Sequence, residues 1–199
     1  AAYVEVVRNT PLLVQLLLWY SLSQGLPGAR EAFQPLPGVF LCERGLYLPG
    51  PSGRPALAGF DIRGGLSVSP EFGALLVGLA TYTAAFIGEI VRGGILAVGK
   101  GQTEAAAALG LSRGRTLRLV VLPQAVRVMV PSTTSQFVNL AKNSSLAVAI
   151  GYPDLLSVTT TTLNQTGQAI EAIAVATTIY LGISLSVSLA MSLRRGARS

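Results

Sequence analysis

Long apolar runs are the feature that most limits the folds open to this chain. Residues 72–98, 126–150 and 169–193 each form a long and mainly apolar segment. Because a helix rises 1.5 Å per residue, about 20 apolar residues cross the ~30 Å hydrocarbon core of a bilayer. The sequence therefore predicts a membrane-spanning helix in each of these segments.

A fourth segment, residues 4–21, is less uniformly apolar because Glu5 and Arg8 lie in its first turns. Both side chains can extend to a membrane interface, and Trp19 and Tyr20 suit the opposite interface. We therefore expect an all-α fold, a polytopic transmembrane helical bundle with about four spans. The chain does not begin with Met, and we also expect membrane segments upstream of residue 1.

Composition excludes several other classes of protein. Hydrophobic residues make up 50% of the chain and charged residues only 12%, which is unusual for a soluble domain. The net charge of +6 would suit a nucleic-acid partner, but the basic residues form no nucleic-acid-binding motif. The chain has no His and a single Cys, Cys42, so a zinc site and an internal disulfide are excluded. We expect no functional role for Cys42.

Residues 23–70 are unlike the rest, because they hold most of the prolines and many glycines. Such a segment cannot cross the membrane as a helix, and it predicts an extramembrane loop. Short strands are expected near residues 45–48 and 60–62. The patterns divide the chain into a partial membrane segment (1–22), this outer loop (23–70) and a core membrane region (71–199).

The distribution of charge predicts the orientation. The segment between the second and third spans, residues 99–125, is named the insert, and basic residues outnumber Glu104 in and beside it. They are Lys100, Arg113, Arg115, Arg118 and Arg127, and the C-terminal tail adds Arg194, Arg195 and Arg198. Basic loops stay on the cytoplasmic side of a membrane. We therefore expect the insert and the C-terminus in the cytoplasm, and the outer loop and residues 151–168 outside.

The insert has the pattern of two helices joined by a tight turn. Thr103 is expected to cap the first helix, whose Glu- and Ala-rich sequence favours helix. Gly110 is expected to end that helix in a left-handed conformation. Ser112 can cap a second helix, which we expect to end at Pro123. A solvated, Ala-rich connector is the alternative interpretation of this composition.

A longer pattern runs through the insert. Glu104-Ala105-Ala106 is followed by Gly110, then by Val120 and Leu122-Pro123, and this spacing resembles the EAA signature of the membrane subunits of bacterial ABC importers. Val120 replaces the isoleucine usual in that family. There the loop is the coupling helix, which docks into a groove on an ATPase subunit. The resemblance implies that the ATPase-coupling residues are Glu104, Ala105, Ala106, Gly110, Leu122 and Pro123.

Other stretches are similar to polar amino acid permeases, and the outer loop resembles that of the general L-amino acid permease subgroup. The similar stretches are residues 3–15, 85–95 and 139–146, and in the outer loop residues 44–49 and 60–67. The resemblance implies the fold of a type I ABC importer permease that takes up L-amino acids across the bacterial inner membrane. Its implied partners are two ATPase subunits that bind the ATP, a second permease subunit, identical or not, and a periplasmic amino acid binding protein. No cofactor of its own is implied.

The third span is unusually polar. Ser132, Gln136, Asn139 and Asn143 recur every three or four residues and therefore share one helix face. We expect that face, with Lys142, to line a watery substrate pathway. The alternative is that these polar side chains form hydrogen bonds between helices. For Lys142 this alternative is favoured, because a buried cation needs a carboxylate or carbonyl partner.

The second span places Tyr82 and Glu89 seven residues apart on one face, with Arg92 a further three along. Tyr82 is a candidate for the substrate pathway. Glu89 and Arg92 suit an ion pair within the helix near its cytoplasmic end, and a gate at the inner mouth is the alternative.

Two other functions remain open. A passive channel would need a ring of charges or carbonyls, for which the sequence shows no motif. An intramembrane hydrolase could use only a Ser-Lys pair such as Ser145 with Lys142. The sequence has no Gly-rich phosphate loop followed by Lys-Ser/Thr, so we expect no ATPase site in this chain.

Overall fold

Helices form most of the chain in the computed structural model, which describes residues 2–51 and 53–196. The α-helices are α1 (Ala2–Asn9), α2 (Leu12–Gln24), α3 (Pro70–Leu96), α4 (Lys100–Ala108), α5 (Arg113–Thr116), α6 (Leu122–Asn143), α7 (Leu155–Thr166) and α8 (Ala169–Gly196). Tighter 3-10 segments cover Ala29–Glu31 and Ser144–Ile150, and a wider π-helical turn covers Leu117–Val121. Arg198 lies outside the described residues, as do the side chains of Arg194 and Arg195.

The first predicted span, residues 4–21, is not one helix. Helix α1 ends at Asn9 and α2 begins at Leu12, with Pro11 as the residue before it. Proline disfavours helical geometry in the residue before it and has no N–H to donate, so the chain breaks here. Helix α2 has 13 residues, a length of about 20 Å at 1.5 Å per residue, shorter than a bilayer core.

Helix α3 and the Ala169–Leu193 stretch of α8 are, among the described helices, those long and apolar enough to cross a membrane. Residues 126–150 were predicted to form one spanning helix, and the structure gives this segment other boundaries. Helix α6 begins earlier, at Leu122, and ends at Asn143, where the Ser144–Ile150 segment continues as a 3-10 helix.

The outer loop folds into strands, so the expectation of an all-α fold is wrong for this part. An antiparallel sheet has the order β1 (Phe33–Leu36), β2 (Val39–Cys42), β3 (Gly45–Leu48) and β6 (Leu66–Val68), and β4 (Ala56–Ala58) pairs with β5 (Asp61–Arg63). The strands expected near 45–48 and 60–62 are confirmed by β3 and β5. The predicted loop at residues 151–168 likewise contains a helix, α7.

A small core holds the outer-loop strands together. It consists of Ala29, Phe40, Cys42 and Ile62, and Cys42 is fully buried in it. Tyr47 packs against the same core, and burial raises the pKa of its phenol. Cys42 therefore has a packing role that its isolation in the sequence did not reveal.

The chain divides into two compact units. Unit 1 contains the residues up to Asn9, Tyr82–Asn143 and the residues from Ile173 onward. Unit 2 contains Thr10–Thr81, which includes the outer-loop sheet, and Ser144–Ala172. In unit 2, Leu16 is fully buried and lies where a side chain on Gly78 would be, so α2 and α3 approach closely there.

Candidate functional site

The first helix of the insert begins earlier than predicted. Helix α4 starts at Lys100, and the residue before it, Gly99, has extended backbone angles and makes no side-chain cap. Thr103 is therefore not the N-cap but lies inside the helix. Its hydroxyl donates to the carbonyl of Lys100 at 2.7 Å, a local bond that threonine often makes within a helix.

The predicted stop at Gly110 is confirmed. Gly110 has φ +76°, the left-handed conformation that glycine adopts without steric cost. The N–H of Leu111 donates to the carbonyl of Ala106 at 3.0 Å, and that of Gly110 donates to the carbonyl of Ala107 at 2.9 Å. This pair of bonds is a Schellman motif, which satisfies the last carbonyls of α4 and reverses the chain.

The two faces of α4 differ in exposure. Ala106 is only 3% exposed, because α4 packs on the following π-helical turn through this side. Glu104 and Ala105 are exposed, and Leu109 at the end of the helix is 82% exposed. A slim helix that presents a carboxylate, small side chains and a bare leucine can fit into a groove on another protein.

The second half of the insert is one continuous helical path. Ser112 lies at the predicted N-cap position of α5, although its side chain makes no capping hydrogen bond. The prediction that this helix ends at Pro123 is wrong, since α6 already includes Pro123. The N–H of Leu122 donates to the carbonyl of Leu117, five residues back. This wide turn just before Pro123 provides the room that a proline ring needs inside a helix.

The two halves of the insert are joined by a side-chain link. The side-chain amide of Gln124 donates to the side-chain carbonyl of Gln102 at 3.4 Å and to the backbone carbonyl of Val120 at 3.0 Å. Leu122 and Pro123 next to it are exposed. The residues of the EAA-like pattern therefore lie on one continuous, folded surface element of unit 1.

The polar residues predicted for a substrate pathway all lie on α6. Gln136 and Asn143 are half-buried, while Ser132, Asn139 and Lys142 are exposed. Their spacing places Ser132, Gln136, Asn139 and Asn143 on one side of the helix. Pro131 is also inside α6, and the hydroxyl of Ser135 donates to its carbonyl at 3.3 Å.

A charged cluster lies on α3 and α1. Nε of Arg92 donates to both carboxylate oxygens of Glu89 at 3.0 and 3.1 Å, so the predicted pair within the helix is present. Nη1 of Arg8 lies 4.0 Å from Oε2 of the same carboxylate and its guanidinium lies over the Phe86 ring. The Phe86 ring in turn contacts that of Tyr82, with 4.9 Å between their centroids. The structure thus brings Tyr82, Glu89 and Arg92 together.

Sequence reasoning missed three features of unit 1. Arg8 was expected only to reach an interface, and nothing in its local sequence identifies a partner so far along the chain. Leu109 was not singled out, although a large apolar residue beside a helix stop is a recognisable signal. Gly94 was also missed: a side chain there would collide with Met129 and the carbonyl of Ala125, so α3 and α6 approach closely at this point.

Comparisons with known proteins agree with one another. Residues 1–195 match the family described as binding-protein-dependent transport system inner membrane component. The general L-amino acid transport system permease protein AapQ of Rhizobium johnstonii is 38% identical, across 96% of this chain and 64% of its own length. The glutamate/glutamine/aspartate/asparagine transport system permease protein BztB of Rhodobacter capsulatus is 55% identical, across 70% of this chain and 33% of its own length. This chain thus spans less than two thirds of either relative.

A solved structure gives the same result for the fold. The crystal structure of an amino acid ABC transporter with histidines contains a chain that superposes with a TM-score of 0.68 and 30% sequence identity. The match covers 98% of this chain and 73% of that chain. The helices and their order are therefore shared over almost the whole of the present sequence.

Proposed function

Because the chain belongs to the family of binding-protein-dependent transport system inner membrane components, we propose that it is the permease subunit of an ATP-driven amino acid importer. The importer takes up L-amino acids across the bacterial inner membrane. Two relatives named as permeases of general L-amino acid and of glutamate, glutamine, aspartate and asparagine transport systems support this substrate class.

The single observation that carries the proposal is the geometry of the insert. Helix α4 ends in a Schellman motif at Gly110 and presents Glu104, Ala105 and Leu109 to the outside. In this proposal α4 docks into a groove on an ATPase subunit, with Ala106 packing inward and Gly110, Leu122 and Pro123 shaping the element. ATP is bound by the ATPase subunits and not by this chain.

The assembly follows from the same proposal. The chain pairs with a second permease subunit, identical or not, and each permease engages one of two ATPase subunits from the cytoplasm. A periplasmic binding protein delivers the amino acid. The insert and the C-terminus are cytoplasmic, because they carry the excess of Lys and Arg, and the outer loop at residues 23–70 is periplasmic.

The substrate pathway is assigned to the polar side of α6 and to Tyr82. Gln136, Asn139, Lys142 and Asn143 supply amide and ammonium groups that replace water around a zwitterion in transit. Glu89 and Arg92, near the cytoplasmic end of α3, gate the inner mouth. Closure of the ATPases moves the insert, which shifts the spans between inward- and outward-facing arrangements.

The test is reconstitution of the complex in liposomes with its ATPase and binding protein. Glu104→Lys is expected to lower both uptake and binding-protein-stimulated ATP hydrolysis by at least about tenfold, since a reversed charge at an interface costs several kcal/mol. Asn139→Leu is expected to lower uptake while the ATPase subunits stay bound, because it changes the pathway and not the docking surface.

The matched control is Glu31→Lys, the same charge reversal at an exposed position of the outer loop. It should leave ATP hydrolysis and uptake at the level of the unchanged protein. Uptake that persists in liposomes without any ATPase subunit would contradict the proposal and indicate a passive channel.

A further inference from the structure

A pocket of about 410 Å³ lies beside the insert, where the end of α3 meets α4, α5 and the π-helical turn. Its apolar wall is formed by Ile95, Val98, Ala107, Leu111, Leu117 and Val121. Ligand pockets in proteins commonly have volumes of about 300–1,000 Å³. The pocket therefore has room for the apolar part of a ligand.

Three polar side chains also line the pocket, and one of them, Thr103, already donates its hydroxyl to the carbonyl of Lys100. Arg113 and Thr116 are three residues apart on α5, a spacing that brings side chains to one helix face. The Thr116 side chain lines the pocket and is 8% exposed, and its hydroxyl can donate a hydrogen bond to a ligand oxygen. A hydroxyl and a guanidinium on one helix face can together donate hydrogen bonds to the oxygens of a phosphate group.

Arg113 supplies a positive charge at the same face. Within residues 2–51 and 53–196 it forms no ion pair with a carboxylate. Arg115 and Arg118 follow on the same stretch, but neither side chain lines the pocket. The pocket thus combines an apolar wall with a donor hydroxyl and an uncompensated guanidinium, which is the chemistry that binds an anionic amphiphile.

We propose that this pocket binds an anionic phospholipid of the cytoplasmic leaflet, with its acyl chain on the apolar wall and its phosphate at Arg113 and Thr116. The proposal rests on the cytoplasmic placement of the insert given above. It is supported by the position of Ile95 and Val98, which lie at or just beyond the end of the apolar helix α3, where a span leaves the bilayer. Basic pockets at the cytoplasmic ends of membrane helices commonly hold anionic lipid head groups.

A bound lipid would connect the insert to the membrane. Its head group contacts α5, and its acyl chain contacts both α3 and α4 through Ile95 and Ala107. The small side chain of Ala107 leaves this space open, although a larger residue would be tolerated by the helix itself. The lipid therefore restrains α4 relative to the end of α3, and anionic lipid content becomes a condition for efficient coupling.

The test measures lipid retention directly, without ATP or substrate. The full-length protein with its partner subunits is placed in nanodiscs of phosphatidylglycerol and phosphatidylcholine in equal parts, released into detergent and examined by native mass spectrometry. The unchanged protein should keep phosphatidylglycerol in preference to phosphatidylcholine, which has the same tails and a zwitterionic head. Arg113→Gln should lower that retention about fivefold, which corresponds to the binding free energy of one cation near an anionic surface. Ala107→Phe, which fills the pocket without changing charge, should lower it as well.

Arg115→Gln is the matched control, because it removes the same charge two residues away and outside the pocket. It should retain phosphatidylglycerol almost as the unchanged protein does. Equal losses in Arg113→Gln and Arg115→Gln, or equal retention of the two lipids by the unchanged protein, would overturn the proposal. Either result leaves the transport function intact, because that function is scored separately by uptake in liposomes.

Discussion

Glu89 lies close to two arginine side chains, and this arrangement bears on its role. Its carboxylate receives hydrogen bonds from Arg92 on the same helix and lies 4.0 Å from Arg8 on α1. Ionisable residues within membrane helices are costly unless they are paired or hydrated, and they are often functional. An isolated structural pair would need only one cation. The second arginine, held over the Phe86 ring, places another cation 4.0 Å from the Glu89 carboxylate.

Substitution of this carboxylate by its isosteric amide separates the two roles. Glu89→Gln keeps the shape and removes the charge, which leaves Arg8 and Arg92 without a counter-charge. Because Arg92 is 63% exposed and lies in the last turns of α3, where an arginine side chain can extend to water, we expect thermal stability to change little and uptake in liposomes to fall several-fold. Glu71→Gln in the first turn of α3 is the control and should alter neither quantity. A loss of thermal stability that fully accounts for the lost uptake would indicate a structural pair only.

Some residues were predictable because their signal is local. Gly110 follows an Ala-rich helix, and its left-handed conformation was expected from those few residues alone. The contact of Arg8 with Glu89 could not be predicted in this way, since it depends on how α1 packs against a helix far along the chain. The burial of Cys42 depends likewise on strand pairing in the outer loop. The roles assigned to Gln136, Asn139, Lys142 and Asn143 stay predictions.

Among the elements, the outer-loop strands depend on a core of only a few side chains. Phe40 is 8% exposed and is the largest residue of the cluster that it forms with Ala29, Cys42 and Ile62. Short strands need a packed apolar face to be stable in water. Loss of the Phe40 ring therefore removes much of the apolar packing that stabilises the sheet.

We expect Phe40→Ala to unfold the outer-loop strands while the membrane helices stay folded. Truncation of a buried phenylalanine costs about 3–5 kcal/mol, which a sheet of this size cannot absorb. Hydrogen exchange of residues 33–68 should become fast, and exchange in α3 should stay slow. The control is Phe33→Ala, the same truncation at a 60% exposed position of β1, which should leave exchange almost unchanged. Protection of the strands in Phe40→Ala would contradict the assigned core.

The helices illustrate why boundaries are harder to predict than helices themselves. Pro11 and Pro123 have the same chemistry, yet the chain breaks at the first and continues through the second. The difference is the π-helical turn at Leu117–Val121, which widens the helix before Pro123. The local sequence does not distinguish these two outcomes, and α4, which precedes the turn in the chain, packs against it. The Ala-rich α4, by contrast, was predictable from intrinsic helix preference.

At the scale of the whole molecule, the sequence motifs predicted the family correctly. The expected number of about four membrane spans is supported less directly by the helices. Helix α3 and Ala169–Leu193 meet the requirements of length and apolarity, whereas α2 is short and α6 carries a polar side. The shared fold over 98% of the chain includes α2 and α6 as well. Orientation therefore depends on the distribution of charge and requires its own test.

Membrane orientation can be measured by labelling single cysteines, and the natural Cys42 is buried and therefore shielded from the label, so a Cys42→Ala background removes it. In that background, Arg115→Cys places a thiol on the insert and Phe60→Cys places one on the outer loop, where Phe60 is 71% exposed. A membrane-impermeant maleimide added to intact spheroplasts should modify the cysteine at position 60 and not that at position 115. Inverted vesicles should give the opposite pattern, because basic segments are retained on the cytoplasmic side. Since both positions are exposed in the folded chain, only the membrane separates their reactivity. Modification of both thiols from one side would show that the outer loop and the insert lie on the same side of the membrane. That result would overturn both the cytoplasmic docking surface and the lipid pocket beside it.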